Sequence, residues 1–313
     1  MSSWRKPLLA ALLLPSVVAV AACGSSSKST SSASSSASST SAPAASSSSS
    51  AAGANAAVAK LVPASLKSKG TLTVASDATY APNEFIGSDG HTVVGMDADL
   101  AKALAAVMGL KANLVNATFD TIIPGLASGK YDMGASSFSD NKTREKTVDF
   151  VDYFIAGESF ITKASGGTSI SSIADICGKT VAVEKGTTEE ADAGTQSKKC
   201  TSAGKPGVKI LSFSDQNAAN LALSSGRAQL GFLDSPIALY QVKQSNGQFK
   251  VVGAAYATGP YGLAVPKSSY APALLAALKV VMQNGTYSSI LSHWGLSSGA
   301  IPAAQVKING ATS

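Results

Sequence analysis

Two periodicities alternate along the chain. "TLTVAS" (71–76) places apolar residues at every second position, as a strand does. "MDADLAKALAAVMGL" (96–110) instead sets Leu100, Leu104 and Val107 on one helical face, with Asp97 as the expected cap and Gly109 as the stop. "KANLVNA" (111–117) reads as a strand. "FDTIIPGLASGK" (119–130) reads as a helix capped by Asp120, with Pro124 in its first turn and Gly129 as its stop; "YDMGAS" (131–136) returns to a strand. A second unit starts near Gly157. It runs through a helix in "SSIADICGK" (171–179), a strand in "TVAVEK" (180–185) and a helix in "TTEEADAGTQSKK" (187–199), whose first-turn acids suit the helix dipole. Strand and helix signals then alternate to "FKVVGA" (249–254). "YGLAVP" (261–266) adds a strand, two helices follow, and the chain after Gly299 reads as a loose tail. This is the βαβ rhythm of an α/β fold: mostly parallel sheet flanked by helices.

The first 57 residues break that rhythm. Arg5 and Lys6 precede the apolar run "PLLAALLLPSVVAVAA", too short for a comfortable membrane span, so residues 1–22 read as a secretory signal peptide. The run ends in "VAAC", which resembles a bacterial lipobox and predicts lipidation of Cys23. A plain signal peptide followed by an incidental cysteine is the alternative. Residues 24–57 are nearly all serine and alanine. They lack the apolar mass needed to order, and as a flexible coil they would reach roughly 30–35 Å. One acyl chain holds a membrane only marginally, so stable anchoring requires more than one.

Composition narrows the partners. Without Arg5 and Lys6, 23 basic residues face 19 acidic ones, a net +4. The lysines are scattered singly, with no basic run, which argues against nucleic acid. After Cys23, two cysteines remain. Outside the cytoplasm Cys177 and Cys200 read as a disulfide, whose closed loop gives about 3.4 kcal/mol by loop entropy. A metal site is a poor alternative, because His91 and His293 are the only histidines and no ligand spacing is recognisable. No cofactor motif is present.

Six stretches carry a family resemblance in order and spacing: "TLTVASDATYAPNEF", "VVGMDADLAKALA", "FDTIIPGLASGKYDMGASSFSDNKTREKTVDFVDYF", "GKTVAVEKGTTEEA", "ALSSGRAQLGFLDSP" and "YGLAVPK". Together they resemble the extracellular amino-acid-binding proteins of ABC-type importers, over about Gly70 to Gly295. The resemblance implies a two-lobed periplasmic-binding-protein-like fold joined by two hinge strands. Lobe 1 would be residues 70–157 plus 261–299, lobe 2 residues 158–260, and 300–313 a C-terminal tail. It implies that Arg144 holds an α-carboxylate, a task for which arginine's planar fork is better suited than lysine. Ser136, Ser137 and Ser139 fall on assisting positions, with Thr187 and Thr188 at a helix start facing them. Asp234 matches the acid that takes an α-ammonium, and Tyr80 and Phe119 match aromatic walls. Asn83 stands where the family commonly has a second aromatic, implying a more polar wall. Asn141 replaces a common threonine.

Two further acids come from position alone. Asp77 shares the loop of Tyr80, and alternation puts Glu184 at the cleft end of its strand. Together they would favour a cationic or amide side chain. Each residue also has an ordinary reading: exposed cation for Arg144, helix caps for Thr188 and Asp234, core for Tyr80 and Phe119, solvated strand end for Glu184. The function implied is a lipid-anchored, extracellular, monomeric receptor. It would deliver a polar or basic L-amino acid to a membrane permease with its ATPase. Sensing without transport is an alternative, as is a dehydratase on the same fold. The latter is disfavoured because no nucleophile–base pair or metal set appears.

Overall fold

The computed structural model describes residues 53–312 apart from Ser268. The expected signal peptide, Cys23 and nearly all of the expected tether lie outside the described residues. In chain order the elements are α1 (Ala56–Leu61), α2 (Ala64–Lys69), β1 (Thr71–Ser76), β2 (Thr79–Tyr80), β3 (Glu84–Ile86) and β4 (Val93–Val94). There follow α3 (Met96–Val107), β5 (Lys111–Asn116), α4 (Phe119–Ala127), β6 (Met133–Gly134), β7 (Val148–Lys163), β8 (Thr180–Glu184) and α5 (Thr188–Ser202). The remainder are β9 (Lys209–Phe213), α6 (Gln216–Ser224), β10 (Leu230–Asp234), α7 (Ser235–Gln244), β11 (Phe249–Pro266), α8 (Ala271–Gln283) and α9 (Thr286–Trp294). Among the described residues no helix is long and apolar enough to cross a membrane.

One mixed sheet of order β5-β1-β6-β11-β7-β10-β8-β9 runs through both lobes. β1 pairs in parallel with β5 and β6, and β8 pairs in parallel with β9 and β10. Between these parallel halves stand the two long strands β7 and β11, antiparallel to each other. With 16 residues at about 3.3 Å each, β7 spans roughly 50 Å, enough to serve both lobes. The β7–β11 ladder slips between Val252 and Tyr256, Tyr256 and Gly259, and Tyr261 and Gly262. Side chains 253–258 of β11 are exposed there, so this part of the crossing is paired and packed least.

Core packing follows the pattern read from sequence. Leu100, Leu104 and Val107 of α3 are fully buried, together with Leu72, Val74, Leu274 and Leu278; each such side chain contributes about 1.5–3 kcal/mol by burial. A separate cluster of Phe160, Val181, Val183, Leu230 and Phe232 supports the other lobe. Cys177 and Cys200 are joined there, with Cα atoms 5.6 Å apart.

Several local expectations change. Asp97 does not cap α3: Gly95 holds that position, and Asp97 is buried, accepting from Tyr153 Oη at 2.5 Å and Ser137 N at 2.8 Å. Thr118 precedes α4, so Asp120 lies within its first turn and pairs with Lys185 at 2.8 Å. Pro124 consequently sits inside α4, beyond its first turn. Residues 173–176 form only a short 3-10 turn. The end of the expected tether is helical: Asn55 caps α1, and Val58, Val62 and Leu66 pack into the first-lobe core. The stretch after Gly299 is likewise not loose. Ile301 and Val306 are buried in that core, Asp152 N donates to Lys307 O, and Ala311 N donates to Asp140 Oδ2. Neither stretch carries an apolar period long enough to announce an element.

Candidate functional site

Between the lobes lies a small cavity. All eleven residues singled out from sequence line it: Asp77, Tyr80, Phe119, Ser136, Ser137, Ser139, Arg144, Glu184, Thr187, Thr188 and Asp234. Most of them sit at or just beyond the carboxyl ends of strands β1, β6, β8 and β10, where open α/β sheets bind ligands. Two residues that sequence reasoning missed, Glu84 and Glu189, complete the lining.

The serine loop after β6 is held by acids beneath it. Ser136 Oγ donates to Glu84 Oε1 at 3.1 Å, and Ser137 Oγ to Glu84 Oε2 at 3.2 Å. Ser137 has φ 49°, a left-handed conformation costly for a residue with a Cβ. Its amide on Asp97, and Asn83 Nδ2 on its hydroxyl at 2.8 Å, hold it there. Asn83 is therefore a support for this loop and does not line the cavity, contrary to the expected polar wall. Burial and the negative charge of Asp97 push the Glu84 carboxyl well above its usual range.

Arg144 opens a 3-10 turn and is half-buried. Nη1 donates to Ser139 O at 2.8 Å, and Nη2 reaches the other lobe to donate to Gly186 O at 3.0 Å. The guanidinium lies 5.4 Å from the Phe119 ring centre and 5.5 Å from that of Phe138, which stack on each other. Two carbonyls and two rings fix its plane; a lysine ammonium has no plane to fix. Gly186, with φ 80°, lets the chain approach so closely that a Cβ would stand 2.9 Å from Asp120 Cβ. Ser139 and Thr188 hydroxyls meet across the cleft at 3.4 Å. Thr187, as cap of α5, accepts from Glu190 N.

Asp234 stands at the cap position of α7, yet its side chain makes no capping bond. Instead Tyr80 Oη donates to Asp234 Oδ2 at 2.9 Å while accepting from Asp234 N at 3.0 Å, tying the lobes together. Asp77 accepts from Thr79 Oγ1 at 2.6 Å and from Phe119 N at 2.9 Å. Glu184 is 3% exposed, and its Oε1 has no hydrogen-bond partner. Burial, then the charge of Asp77, raises its carboxyl to about 10; burial raises Asp234 to about 6. Arg227, by contrast, is exposed against Phe213, and His91 and His293 are exposed surface residues.

Glu189 was read only as a dipole-favouring acid, since "EE" in a first turn looks alike at both positions. Structurally the two differ: Glu190 caps the Gly186 amide at 2.7 Å, while Glu189 is 2% exposed and faces the cavity. Among the described residues no three His, Cys, Asp or Glu side chains are grouped to hold a metal ion.

These raised carboxyls set a pH dependence. Folded, Glu184 and Asp234 keep their protons to about 10 and about 6; unfolded, they ionise near 4. Above that pH the unfolded chain binds fewer protons, so stability is fullest in mild acid and is lost as pH rises through the folded values. The melting temperature of the protein without ligand is expected to fall steadily from pH 5 to pH 9 in a thermal-shift series; a rise over that range would contradict the burial assignment.

Comparison with known proteins places the chain. Residues 72–297 match the bacterial extracellular solute-binding proteins, family 3. It is 35% identical to the "Arginine-binding protein ArgT" of Corynebacterium glutamicum over 248 residues, 79% of this chain and 81% of that one. Among solved structures it resembles an ancestral arginine-binding protein bound to arginine (38% identity, TM-score 0.67, 72% of this chain and 98% of that one). An ancestral arginine-binding protein bound to glutamine gives 36% identity, TM-score 0.67 and the same coverage. The chain belongs to the bacterial extracellular solute-binding proteins, family 3.

Proposed function

We propose that the protein captures a free L-amino acid with a cationic side chain, of the arginine type, between its lobes and delivers it to an ABC-type permease driven by its ATPase. One observation carries this reading. Five carboxyl side chains, of Asp77, Glu84, Glu184, Glu189 and Asp234, share a small cavity with one guanidinium. A ligand with two cationic groups and one carboxylate complements that set; a neutral or acidic side chain does not. Arg144, with Ser139 and Thr188, would hold the α-carboxylate, and Asp234 the α-ammonium beside Ser136 and Ser137. Glu184 and Asp77 would take the side-chain cation between Tyr80 and Phe119. No bond is made or broken. The arginine-binding relatives support this choice.

Glutamine is a second reading. A Glu184 that keeps its proton to about 10 offers both a donor and an acceptor to an amide. In this account the chain is a monomer on the outer face of the membrane, held by lipid on Cys23 through residues 24–57. Lobe 1 is 70–157 plus 261–299, with residues 56–66 and 301–311 packed onto it, lobe 2 is 158–260, and the lobes move about β7 and β11. A thermal-shift panel of free L-amino acids tests the ligand. Arginine is expected to give the largest stabilisation, lysine and glutamine smaller ones, and glutamate none. A response to glutamate alone, or to no amino acid, would contradict it.

A further inference from the structure

Glu189 is one of three acids that meet behind Arg144. Glu158 on β7 lies directly opposite Asp234 on β10 in the antiparallel register. All three are at least nine-tenths buried: Glu158 3%, Glu189 2% and Asp234 6% exposed. Two of their oxygens, Glu158 Oε2 and Glu189 Oε1, have no hydrogen-bond partner. Glu189 and Asp234 line the ligand cavity, and Glu158 and Asp234 line the larger cleft that adjoins it at Arg144. The groups around them are few. Thr188 donates to Glu189 Oε2 at 3.3 Å and Tyr80 to Asp234; Arg144 is the nearby cation; Tyr261, Asp192, Asp140 and Glu184 add no positive charge.

One guanidinium cannot balance three buried carboxylates, so the cluster must retain protons or gain a cation. We propose that Glu158, Glu189 and Asp234 form a proton-sharing cluster that the ligand's α-ammonium discharges, so that capture releases protons to solvent. This rests on the proposed placement of the ligand, with its α-ammonium at Asp234. Chemically, each step is a proton leaving a carboxyl as an ammonium takes its place beside the resulting carboxylate; no covalent bond to carbon changes. Burial holds the Glu158 proton to about 8 and raises Glu189 well above its usual range, so the exchange operates near neutral pH. Affinity then strengthens as pH rises, because a site that must shed protons does so more readily in a less acid medium.

The test is calorimetric titration of the whole protein with L-arginine at pH 7 in phosphate and in Tris, buffers of different ionisation heat. The difference in heat counts protons released: about one per ligand is expected from this cluster, beyond any that Glu184 yields to the side-chain guanidinium, with Kd falling by about tenfold per pH unit for each proton released from pH 6 to 8. Glu189→Gln, which keeps the oxygen facing Thr188, is expected to release fewer protons and to flatten the pH dependence. Buffer-independent heat with intact binding would overturn the inference, as would identical proton release by wild type and E189Q. Absence of binding to any basic amino acid would instead overturn the ligand reading, and this inference with it.

Discussion

Arg144→Lys is expected to weaken binding of L-arginine, and of every other amino acid the protein accepts, by more than a hundredfold in Kd. The α-carboxylate is common to all of them, so the loss should not depend on the side chain. Arginine here is held in plane by Ser139 O and Gly186 O and by the Phe119 and Phe138 rings. That plane presents its remaining N–H groups as a fork. A lysine ammonium has three donors at one point and cannot satisfy both carbonyls and a bidentate carboxylate. Disrupting a buried charge-assisted pair costs about 3 kcal/mol or more, which sets the size of the effect. Equilibrium titration of the variant against arginine and glutamine checks it; equal loss for both ligands is the expected signature.

Glu184→Gln is expected to act in the opposite, selective way. A bound guanidinium would ionise Glu184 and an amide cannot ionise, so arginine should weaken by about 2 kcal/mol, roughly thirtyfold, while glutamine stays within a few-fold. The substitution should also raise the melting temperature of the protein without ligand. At pH 7 the folded protein keeps the Glu184 proton, which the unfolded chain has already lost; glutamine removes that difference. Affinity for the cation and stability of the empty site therefore move against each other at one residue. Parallel titrations and thermal shifts of E184Q read both arms; unchanged selectivity would remove Glu184 from the side-chain site.

What the sequence made legible follows from the kind of signal each part carries. β1, α3 and β8 have clean periods of 2 or 3.6, and their boundaries shift by a residue or two. Nine of the lining residues were reached because Tyr80, Phe119, Arg144, the serines, "KGTT" and "FLD" keep a family order, and Asp77 and Glu184 were reached from their positions beside them; period and composition alone would not have gathered them from four strand ends. Helix caps were legible only where geometry is local. Asp97 and Asp120 looked like caps because an acid before an apolar run usually is one. Long-range partners, Tyr153 for Asp97 and Lys185 for Asp120, claimed them instead. Glu84 and Glu189 were hidden for the same reason. Their burial depends on what packs over them, namely Ser136 and Ser137 in one case and the opposite lobe in the other. The 300–312 segment carries no sustained apolar period, and Ile301, Val306 and Ala311 fill gaps that only the folded lobe presents.

The central claim is that the cavity reads two positive charges and one negative charge on a single small molecule. L-citrulline has the shape of L-arginine with a neutral side-chain head, so comparing their dissociation constants on the wild-type protein isolates the side-chain charge. Arginine is expected to bind at least tenfold more tightly. Equal affinity for the pair would mean that the carboxyl-rich end does not select a cation, and the account would fail there.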